Sequence, residues 1–361
     1  MKRWLLALLP VVALGGCDMV VLSPSGYVAA QQADILVKST VLMLVIIIPV
    51  MLLTIFFAWR YNARRKSNYD PEWHHSTSLE LVIWAAPLMI IICLGGMTWV
   101  ATHLLDPFRP LTHIGERRPV PEGVRPLEVE VVALDWKWLF IYPEYDIATV
   151  NQAAAPVDRP IHFRLTSQNV MNAFYVPALA GMIYAMPGME SQLYAVMNLP
   201  GDYEGFSSNY SGAGFSGMRF RFYGMDEAGF ADWVGQARAD GDTLDRQEYL
   251  SLARPSENVA PDAFGSVDPD LFRRIVNRCV EEDRMCIADM MSIDGDGGMG
   301  KAGILNTISA GSRQASALGH QPFFVAEVCT AAESAEKYGP QQLVLLTPPA
   351  QKGETDLRQE F

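Results

Sequence analysis

The sequence contains few of the side chains that bind transition metals most strongly: only five cysteines and six histidines occur among 361 residues. Residues 206–218 contain neither type and read FSSNYSGAGFSGM. They nevertheless place small polar side chains at Ser207 and Ser211, an aromatic at Phe215 and a thioether at Met218. This spacing is typical of a metal-binding loop from which the ligands are missing. An ordinary glycine-rich turn is the alternative that the loop alone leaves open.

Positive charge is also scarce. Residues 103–361 contain 35 Asp and Glu against 21 Lys and Arg, a net charge of −14, while the whole chain carries −12. A nucleic-acid-binding domain needs the opposite sign, because it must neutralise phosphates. The acidic excess therefore excludes that class and predicts a solvated acidic surface, with docking of a basic partner as the alternative.

The N-terminus has the features of a targeting segment. A charged start, Met1-Lys2-Arg3, precedes an apolar stretch over 4–13 that is too short to span a bilayer. Small residues then lead to Cys17, a pattern that resembles the lipobox of bacterial lipoproteins. We therefore expect a signal peptide over 1–16 and a lipidated Cys17. An ordinary signal peptide with an incidental cysteine is the alternative.

Two later apolar runs, at about 40–59 and 81–102, are long enough to span a membrane as helices. The segment between them contains Arg60, Arg64, Arg65 and Lys66, and an excess of basic residues marks the cytoplasmic side. Both the lipidated N-terminus and everything after residue 103 then face outward. Glu80 lies at the cytoplasmic start of the second span, where an ionisable side chain is a functional candidate.

The exported part first reads as strands and then as helices. Short alternating segments such as LEVEVVAL, IHFRLTS and MRFRFYGM, separated by glycine and proline, predict a β-sandwich or barrel. After Met225 the pattern turns helical, with Asp226 and Asp268 as expected N-caps. The predicted organisation is a signal peptide (1–16), an outer segment (17–39), two spans with a cytoplasmic loop (60–80), a linker (103–125), a sandwich (126–226), a helical region (227–285) and a tail of uncertain structure (286–361).

Two features near the C-terminus carry less information. Residues 295–301, GDGGMGK, nearly match a phosphate-binding loop, but Ala302 stands where a hydroxyl is needed for magnesium. Asp294 and Asp296 resemble a calcium loop that lacks its later glutamate, so we expect a surface loop. Disulfides can form in an exported domain, yet Cys279, Cys286 and Cys329 are an odd number and their pairing stays open.

In this order, the two spans and the sandwich resemble subunit II of the haem–copper respiratory oxidases, over roughly residues 25–280. Trp136-Lys137-Trp138 resembles the aromatic segment that opens the cupredoxin domain of this family. Residues 167–189, SQNVMNAFYVPALAGMIYAMPGM, resemble the segment that begins with its first histidine ligand. Residues 206–218 resemble its copper loop, C-x-E-x-C-x3-H-x2-M.

The resemblance assigns the positions of the lost copper ligands. Serine replaces both cysteines, at Ser207 and Ser211, and the two histidine positions hold Asn172 and Phe215. Asn209 replaces a glutamate that binds through its carbonyl, and Met218 alone is retained. An alcohol and a lone thioether are poor copper ligands compared with thiolate and imidazole. This departure implies the quinol-oxidising branch of the family, and we expect Trp136 and Trp138 to serve packing rather than electron transfer.

Membership of that branch implies that this chain binds no redox centre. The haems and copper would lie in subunit I, which would oxidise ubiquinol, reduce oxygen to water and pump protons. The partners implied are subunit I, other small membrane subunits and membrane lipid, in the bacterial inner membrane, with Glu80 at the mouth of a proton channel. The alternatives are a cytochrome c oxidase subunit with a degenerate copper site and a non-enzymatic cupredoxin-like lipoprotein.

Overall fold

A computed structural model describes residues 19–62, 72, 75–282 and 284–295. The chain divides into two units, Met1–Phe272 and Arg273–Phe361. The first unit contains two long apolar helices and a β-sandwich. The predicted signal peptide, the lipidation site Cys17 and residues 296–361 lie outside the described residues.

The two helices are α1 (Tyr27–Arg60) and α2 (Thr77–Leu104), and both are long and apolar enough to cross a membrane. Pro49 and Pro87 lie inside them. Their apolar side chains are exposed in the isolated chain; Leu81 is 66% and Trp84 77% accessible. Side chains of this kind require lipid or a protein partner to cover them.

Helix α1 starts at Tyr27, well before the apolar run that begins near residue 40. Its first turns pack against the rest of the chain, because Val28, Ala29 and Ala33 are buried and Val28 belongs to the main core cluster. Just before it, the Gly26 N–H donates to the Ala178 carbonyl at 2.8 Å. A Cβ on Gly26 would lie 2.5 Å from the Leu179 carbonyl oxygen, so only glycine allows this close approach. The outer segment predicted over 17–39 is therefore largely helical and attached to the sandwich.

The linker contains a small hairpin, and the sandwich follows it with two sheets. Strand order in the larger sheet is β10-β7-β3-β4-β5-β14-β13, and in the smaller sheet β6-β12-β11-β8-β9. The strands are β1 (His113–Gly115), β2 (Arg118–Pro119), β3 (Leu127–Leu134), β4 (Lys137–Tyr142), β5 (Ile147–Val150), β6 (Gln152–Pro156), β7 (Pro160–Ser167), β8 (Asn172–Tyr175), β9 (Ile183–Ala185), β10 (Ser191–Val196), β11 (Gly201–Ser207), β12 (Arg219–Met225), β13 (Asp242–Leu244) and β14 (Asp262–Val267).

Aromatic side chains from both sheets form the centre of the core. Trp138 of β4 contacts Phe174 of β8 at 5.5 Å and Phe220 of β12 at 5.7 Å between ring centroids. Phe174 and Phe220 stack on each other at 5.3 Å. All three are at most 2% accessible, so they bury large apolar area. Met218, which ends the connection from β11 to β12, belongs to the same core cluster, so the loop lies against this core.

The region 227–285 is only partly helical, which corrects the prediction from the sequence. It contributes α3 (Glu227–Asp240), α4 (Arg246–Leu252) and α5 (Leu271–Val276), but β13 and β14 complete the larger sheet. Asp226 caps α3 as predicted, accepting from the Gly229 N–H at 2.9 Å. Asp245, which was not predicted, caps α4 in the same way at 2.8 Å. Asp268 instead accepts from the Asp270 N–H in the turn before α5.

The second unit is described over 273–282 and 284–295. Cys279 and Cys286 form a disulfide there, which resolves two of the three exported cysteines. Helix α6 (Ile287–Gly295) follows, inside the tail that the sequence left uncertain. Cys329 and the glycine-rich residues after Gly295 lie outside the described part of the chain.

Candidate functional site

Residues 206–218 and the start of β8 meet at one end of the smaller sheet. Ser207 ends β11 and pairs with Phe174 of β8, which brings it beside Asn172. A short 3₁₀ turn over Ala213–Gly217 then leads to Met218, just before β12. The Ser207 N–H donates to the Met218 carbonyl at 3.2 Å, so the two ends of the loop are joined.

Hydrogen bonds between neutral groups fill the centre of this loop. The Ser207 hydroxyl lies 3.1 Å from Asn172 Oδ1 and 3.2 Å from the Asn209 carbonyl, and either oxygen can accept its proton. The Ala173 N–H donates to the same hydroxyl at 3.4 Å. Ser207 is 3% and Asn172 1% accessible, so this network is buried. Buried polar groups that are paired in this way hold a loop in one conformation.

The other predicted ligand positions lie around this network with different roles. Ser211 Oγ is 3.9 Å from the sulfur of Met218, which is fully buried. Asn209 Nδ2 donates to the Met171 carbonyl at 3.0 Å. Phe215 does not join the polar groups; its ring packs edge-on against Tyr210 at 5.6 Å. The structure therefore links Asn172 with Ser207, and Ser211 with Met218, whereas Phe215 is a packing residue.

Trp136 lies against the loop and constrains its backbone. Its indole N–H donates to the Ser211 carbonyl at 3.1 Å, and its own φ of 65° is in the left-handed region. A Cβ on Gly214 would lie 2.5 Å from Trp136 Cδ2. Gly212 has a φ of 115°, which a residue with a Cβ rarely adopts. Glycine is therefore required at both positions, beside the indole ring. Trp136 packs on the loop, and Trp138 packs in the core.

A segment from the C-terminal region, residues 254–259, covers the loop on another side. Lys137 of β4 donates to the Arg254 carbonyl at 2.8 Å and also hydrogen-bonds the Ser256 hydroxyl. A Cβ on Gly217 would lie 2.6 Å from Asn258 Oδ1, and one on Gly214 would lie 2.7 Å from Glu257 Cγ. We call residues 254–259 the covering segment.

Lys137 is the main residue of this site that was not selected from the sequence. Its side chain is 1% accessible, and burial lowers the pKa of its ammonium, an effect that nearby Asp135 opposes. Asn151 is a second such residue, because its Nδ2 donates to the Val259 carbonyl at 2.8 Å. The sequence does show a lysine between two tryptophans next to an apolar run, which marks Lys137 as unusual. Its hydrogen-bond partner, the Arg254 carbonyl, lies more than a hundred residues away in the chain and could not be identified from this pattern.

These groups do not fit a copper centre. Among the described residues, no group of three or more His, Cys, Asp or Glu side chains could hold a metal ion. The loop instead offers hydroxyls, amides and one thioether, and copper sites are built from thiolate and imidazole. The hydrogen-bond partners of Ser207 are amide and backbone groups rather than a base, so the arrangement also lacks an activated nucleophile.

Glu80 is far from this loop in sequence and belongs to the first turn of α2. His75 Nδ1 lies 2.7 Å from Glu80 Oε1, and both side chains are at least half exposed. A carboxylate in the first turn of a helix is favoured by the helix dipole. The structure thus places Glu80 at the end of a candidate membrane helix with a titratable partner.

Two family models match the chain: cytochrome c oxidase subunit II, periplasmic domain, over residues 142–222, and the COX aromatic-rich motif over 238–283. The cytochrome bo(3) ubiquinol oxidase subunit 2 of Pseudomonas aeruginosa is 46% identical over 76% of this chain and 81% of its own length. The chain belongs to the ubiquinol oxidase subunit II family. The predicted haem–copper oxidase family, and its fold of two apolar helices, a cupredoxin-like sandwich and C-terminal helices, are thereby confirmed.

Other relatives agree with this family assignment. The ubiquinol oxidase subunit 2 of Acetobacter aceti is 46% identical over 73% of this chain and 83% of its own length. The periplasmic domain of cytochrome oxidase subunit II from Bradyrhizobium japonicum is a solved structure with 23% identity and a TM-score of 0.31, covering 33% of this chain and 97% of that one. That last likeness carries no argument of its own. Within this oxidase subunit, the first family model includes the loop 206–218 and the second includes the covering segment.

We predict that Ser207→Ala lowers the free energy of unfolding by about 1–3 kcal/mol, because Asn172 Oδ1 loses a buried donor and the Ala173 N–H loses its acceptor. Ser216→Ala, at an exposed position of the same loop, is the matched control. Chemical unfolding of the detergent-purified full chain, followed by tryptophan fluorescence, measures both. Equal stability of the two variants would show that the buried hydroxyl does not hold the loop.

Proposed function

We propose that this chain is subunit II of a proton-pumping haem–copper oxidase that oxidises ubiquinol and reduces oxygen to water. The chain itself carries no copper centre in this proposal. The observation that supports it most directly is at the loop 206–218, where the Ser207 hydroxyl lies within hydrogen-bond distance of the Asn172 side chain and the Asn209 carbonyl in a buried network. Its relatives in Pseudomonas aeruginosa and Acetobacter aceti are named ubiquinol oxidase subunits, which supports the same substrate.

The physical argument concerns the route by which electrons arrive. A soluble one-electron donor outside the membrane needs a metal relay in the exported domain to reach the haems. Ubiquinol is dissolved in the bilayer and can reach the membrane subunit without that relay. Once the relay is unnecessary, Ser207 and Asn172 satisfy each other, and Trp136 donates to a loop carbonyl and packs on the loop.

The covering segment supports this reading further. Within residues 254–259, Glu257 lies against Gly214 and Asn258 against Gly217, so part of the loop surface is occupied by the chain itself. The segment belongs to the aromatic-rich motif that lies C-terminal to the matched cupredoxin domain. In this proposal the covered part of the loop serves the stability of the sandwich rather than contact with an external donor.

The membrane part supports a role as a partner of a larger subunit. The apolar side chains of α1 and α2 are exposed in the isolated chain, as Ile91 at 65% illustrates. In our proposal they pack on subunit I, on other small membrane subunits and on lipid, and the sandwich lies on the outer face of the inner membrane. Subunit I would hold the haems, the copper and the quinol site.

A further part of the proposed localisation is a lipid anchor at Cys17. We propose that it is lipidated after removal of residues 1–16, so that the chain is a multi-pass lipoprotein. The support is the sequence of small residues before Cys17 and the start of the first apolar helix ten residues later, at Tyr27. Mass spectrometry of the N-terminal peptide tests this, and an unmodified Cys17 thiol would contradict it.

Oxygen uptake by the purified complex tests the function. A tagged copy of this chain is purified from its own membranes, and uptake is recorded with reduced ubiquinol and with reduced cytochrome c. We expect haem to co-purify and uptake to require ubiquinol alone. Uptake driven by cytochrome c would favour a cytochrome c oxidase with a degenerate copper site, and a chain without haem or uptake would favour a non-enzymatic lipoprotein.

We also propose that Glu80 receives protons at the cytoplasmic mouth of a proton channel in the complex. Its support is its position in the first turn of α2 and the 2.7 Å contact between Glu80 Oε1 and His75 Nδ1. An ionisable side chain at a membrane boundary is a candidate for such a path.

Glu80→Gln is expected to slow ubiquinol-driven turnover by roughly tenfold, equivalent to about 1.4 kcal/mol of barrier, with the haem content unchanged. Glu122→Gln, an exposed carboxylate in the outer linker, is the control and should turn over normally. Stopped-flow oxidation and steady-state oxygen uptake measure the rates. Normal turnover of Glu80→Gln would remove Glu80 from the proton path.

A further inference from the structure

One face of the larger sheet is turned away from the aromatic core and carries charged side chains. Val129, Val131 and Phe163 belong to the main core cluster, so the residues that alternate with them on β3 and β7 lie on the opposite face. Glu130 of β3 is directly opposite Arg164 of β7 in the strand register of that face. A partly buried pair of opposite charges therefore lies there.

Arg164 is shared by three carboxylates. Glu190, just before β10, accepts from Arg164 Nε at 2.9 Å and from Nη2 at 2.7 Å. Glu130 and Glu128 both accept from Nη1, at 2.9 and 3.1 Å. Arg164 Cζ lies 5.1 Å from the centre of the Phe272 ring, which packs on the guanidinium from the start of α5. One positive charge thus faces three negative charges.

The geometry distinguishes the three carboxylates. Glu190 has the bidentate arrangement, which is the strongest form of an arginine–carboxylate pair. Glu128 is the most exposed of the three, so water solvates its charge. Glu130 is the most buried, at 12% accessible, and its contact with Arg164 uses the nitrogen that Glu128 shares. The negative charge that the guanidinium does not balance is therefore least stable on Glu130.

The other neighbours of Glu130 in the sheet are an apolar residue and a histidine. The residue paired with it on β4 is Ile141, which is buried. On β7, the next side chain of this face is His162, which is opposite Glu128 and stacks on Tyr194 at 4.3 Å between ring centroids. The apolar neighbour adds to the cost of ionising the Glu130 carboxyl, because it offers no hydrogen bond to the charged form.

The pKa of Glu130 agrees with this balance of charges. Burial raises the pKa of its carboxyl from the ordinary value of 4.5 to about 7; Arg164 opposes this rise, and Glu128 and Glu190 add to it. Because the pKa is higher in the folded chain than in the unfolded chain, folding favours the protonated form. The resulting stabilisation is complete below the unfolded pKa and is lost as the pH rises through about 7.

We propose that Glu130 is a proton-binding switch of the exported domain, which holds a proton in acidic surroundings and releases it in alkaline ones. The bound proton removes unbalanced negative charge beside Arg164 and so stabilises the folded sandwich. The proton comes from water and returns to it, so no other reactant is needed. Proton binding depends on the geometry of this cluster alone; that this side also receives protons pumped by an oxidase rests on the proposed function.

Unfolding at two pH values tests the proposal. The detergent-purified full chain is unfolded chemically at about pH 6 and at about pH 8 and followed by tryptophan fluorescence. Between these values the folded-to-unfolded ratio of the wild type should fall by roughly tenfold more than that of Glu130→Gln, which has no carboxyl group to titrate there. Glu204→Gln removes an exposed carboxylate of the smaller sheet, so this control should keep the wild-type difference.

Infrared spectroscopy of the same chain detects the bound proton directly. The carbonyl band of a protonated carboxyl group should be present at about pH 6, disappear by about pH 8 and be missing from the pH difference of Glu130→Gln. Glu128→Gln removes a like charge, so it should move the transition to lower pH, whereas His162→Gln should leave the band in place. Neither measurement uses oxygen uptake, so failure of this switch is distinguished from failure of the proposed function.

Three results would overturn the proposal. Equal pH dependence of Glu130→Gln and wild type would mean that another group binds the proton. A wild type that gains stability toward alkaline pH relative to Glu130→Gln would mean that the ionised pair with Arg164 stabilises the sheet. If Glu130→Gln does not fold, an unchanged infrared transition in Glu128→Gln would show that the carboxylate cluster does not control the proton.

Discussion

The hydrogen bond between Ser207 and Asn172 holds the backbone of the loop between β11 and β12 in one conformation without a metal ion. Both side chains are almost fully buried, and an unpaired polar group at such depth would destabilise the fold. Their pairing, together with the Ser207 N–H to the Met218 carbonyl, closes the loop from inside. The chain therefore has a cupredoxin-like sandwich in which neutral hydrogen-bonding groups stand at Asn172 and Ser207, two of the positions predicted to have lost copper ligands.

The surroundings of this loop depend on that closure. Trp136 reaches the Ser211 carbonyl only because Gly212 and Gly214 leave room for its ring. Lys137, on the neighbouring position, turns to the covering segment and satisfies carbonyl and hydroxyl groups there. Trp136 and the covering segment thus both pack on the loop. In our account the redox chemistry takes place in a membrane subunit that contacts the exposed faces of α1 and α2.

The sequence was informative where a feature is local and repetitive. Apolar runs of sufficient length predicted both helices, and alternating residues predicted strands such as β7 and β12, because these patterns reflect burial along one element. The start of α1 at Tyr27 was missed, since its first turns are held by backbone contacts with residues 178 and 179 rather than by an apolar run. Strands β13 and β14 were also missed because they are short and pair with each other and with distant β5.

The same limit applies to the candidate site. Of the residues selected from the spacing within 206–218 and from the position of Asn172, the structure brings Ser207 to Asn172 and Ser211 to Met218, whereas Phe215 packs on Tyr210. The covering segment could not be predicted, because Lys137 and Arg254 are far apart in the chain. Lys137 donates to a backbone carbonyl, which every residue type has, so the identity of residue 254 does not indicate the contact. The Cys279–Cys286 disulfide was likewise undetermined, as three cysteines allow several pairings.

In our account, residues 206–218 follow the backbone path of a copper loop, and only the copper-binding side chains are missing. The most direct measurement is copper binding by the chain carrying Asn172→His, Ser207→Cys, Asn209→Glu, Ser211→Cys and Phe215→His together, with Met218 retained. Elemental analysis and electron paramagnetic resonance should find two copper ions per chain that share an unpaired electron, and a variant that keeps Ser207 should not show this spectrum. A folded five-residue variant that binds no more copper than wild type would contradict the account.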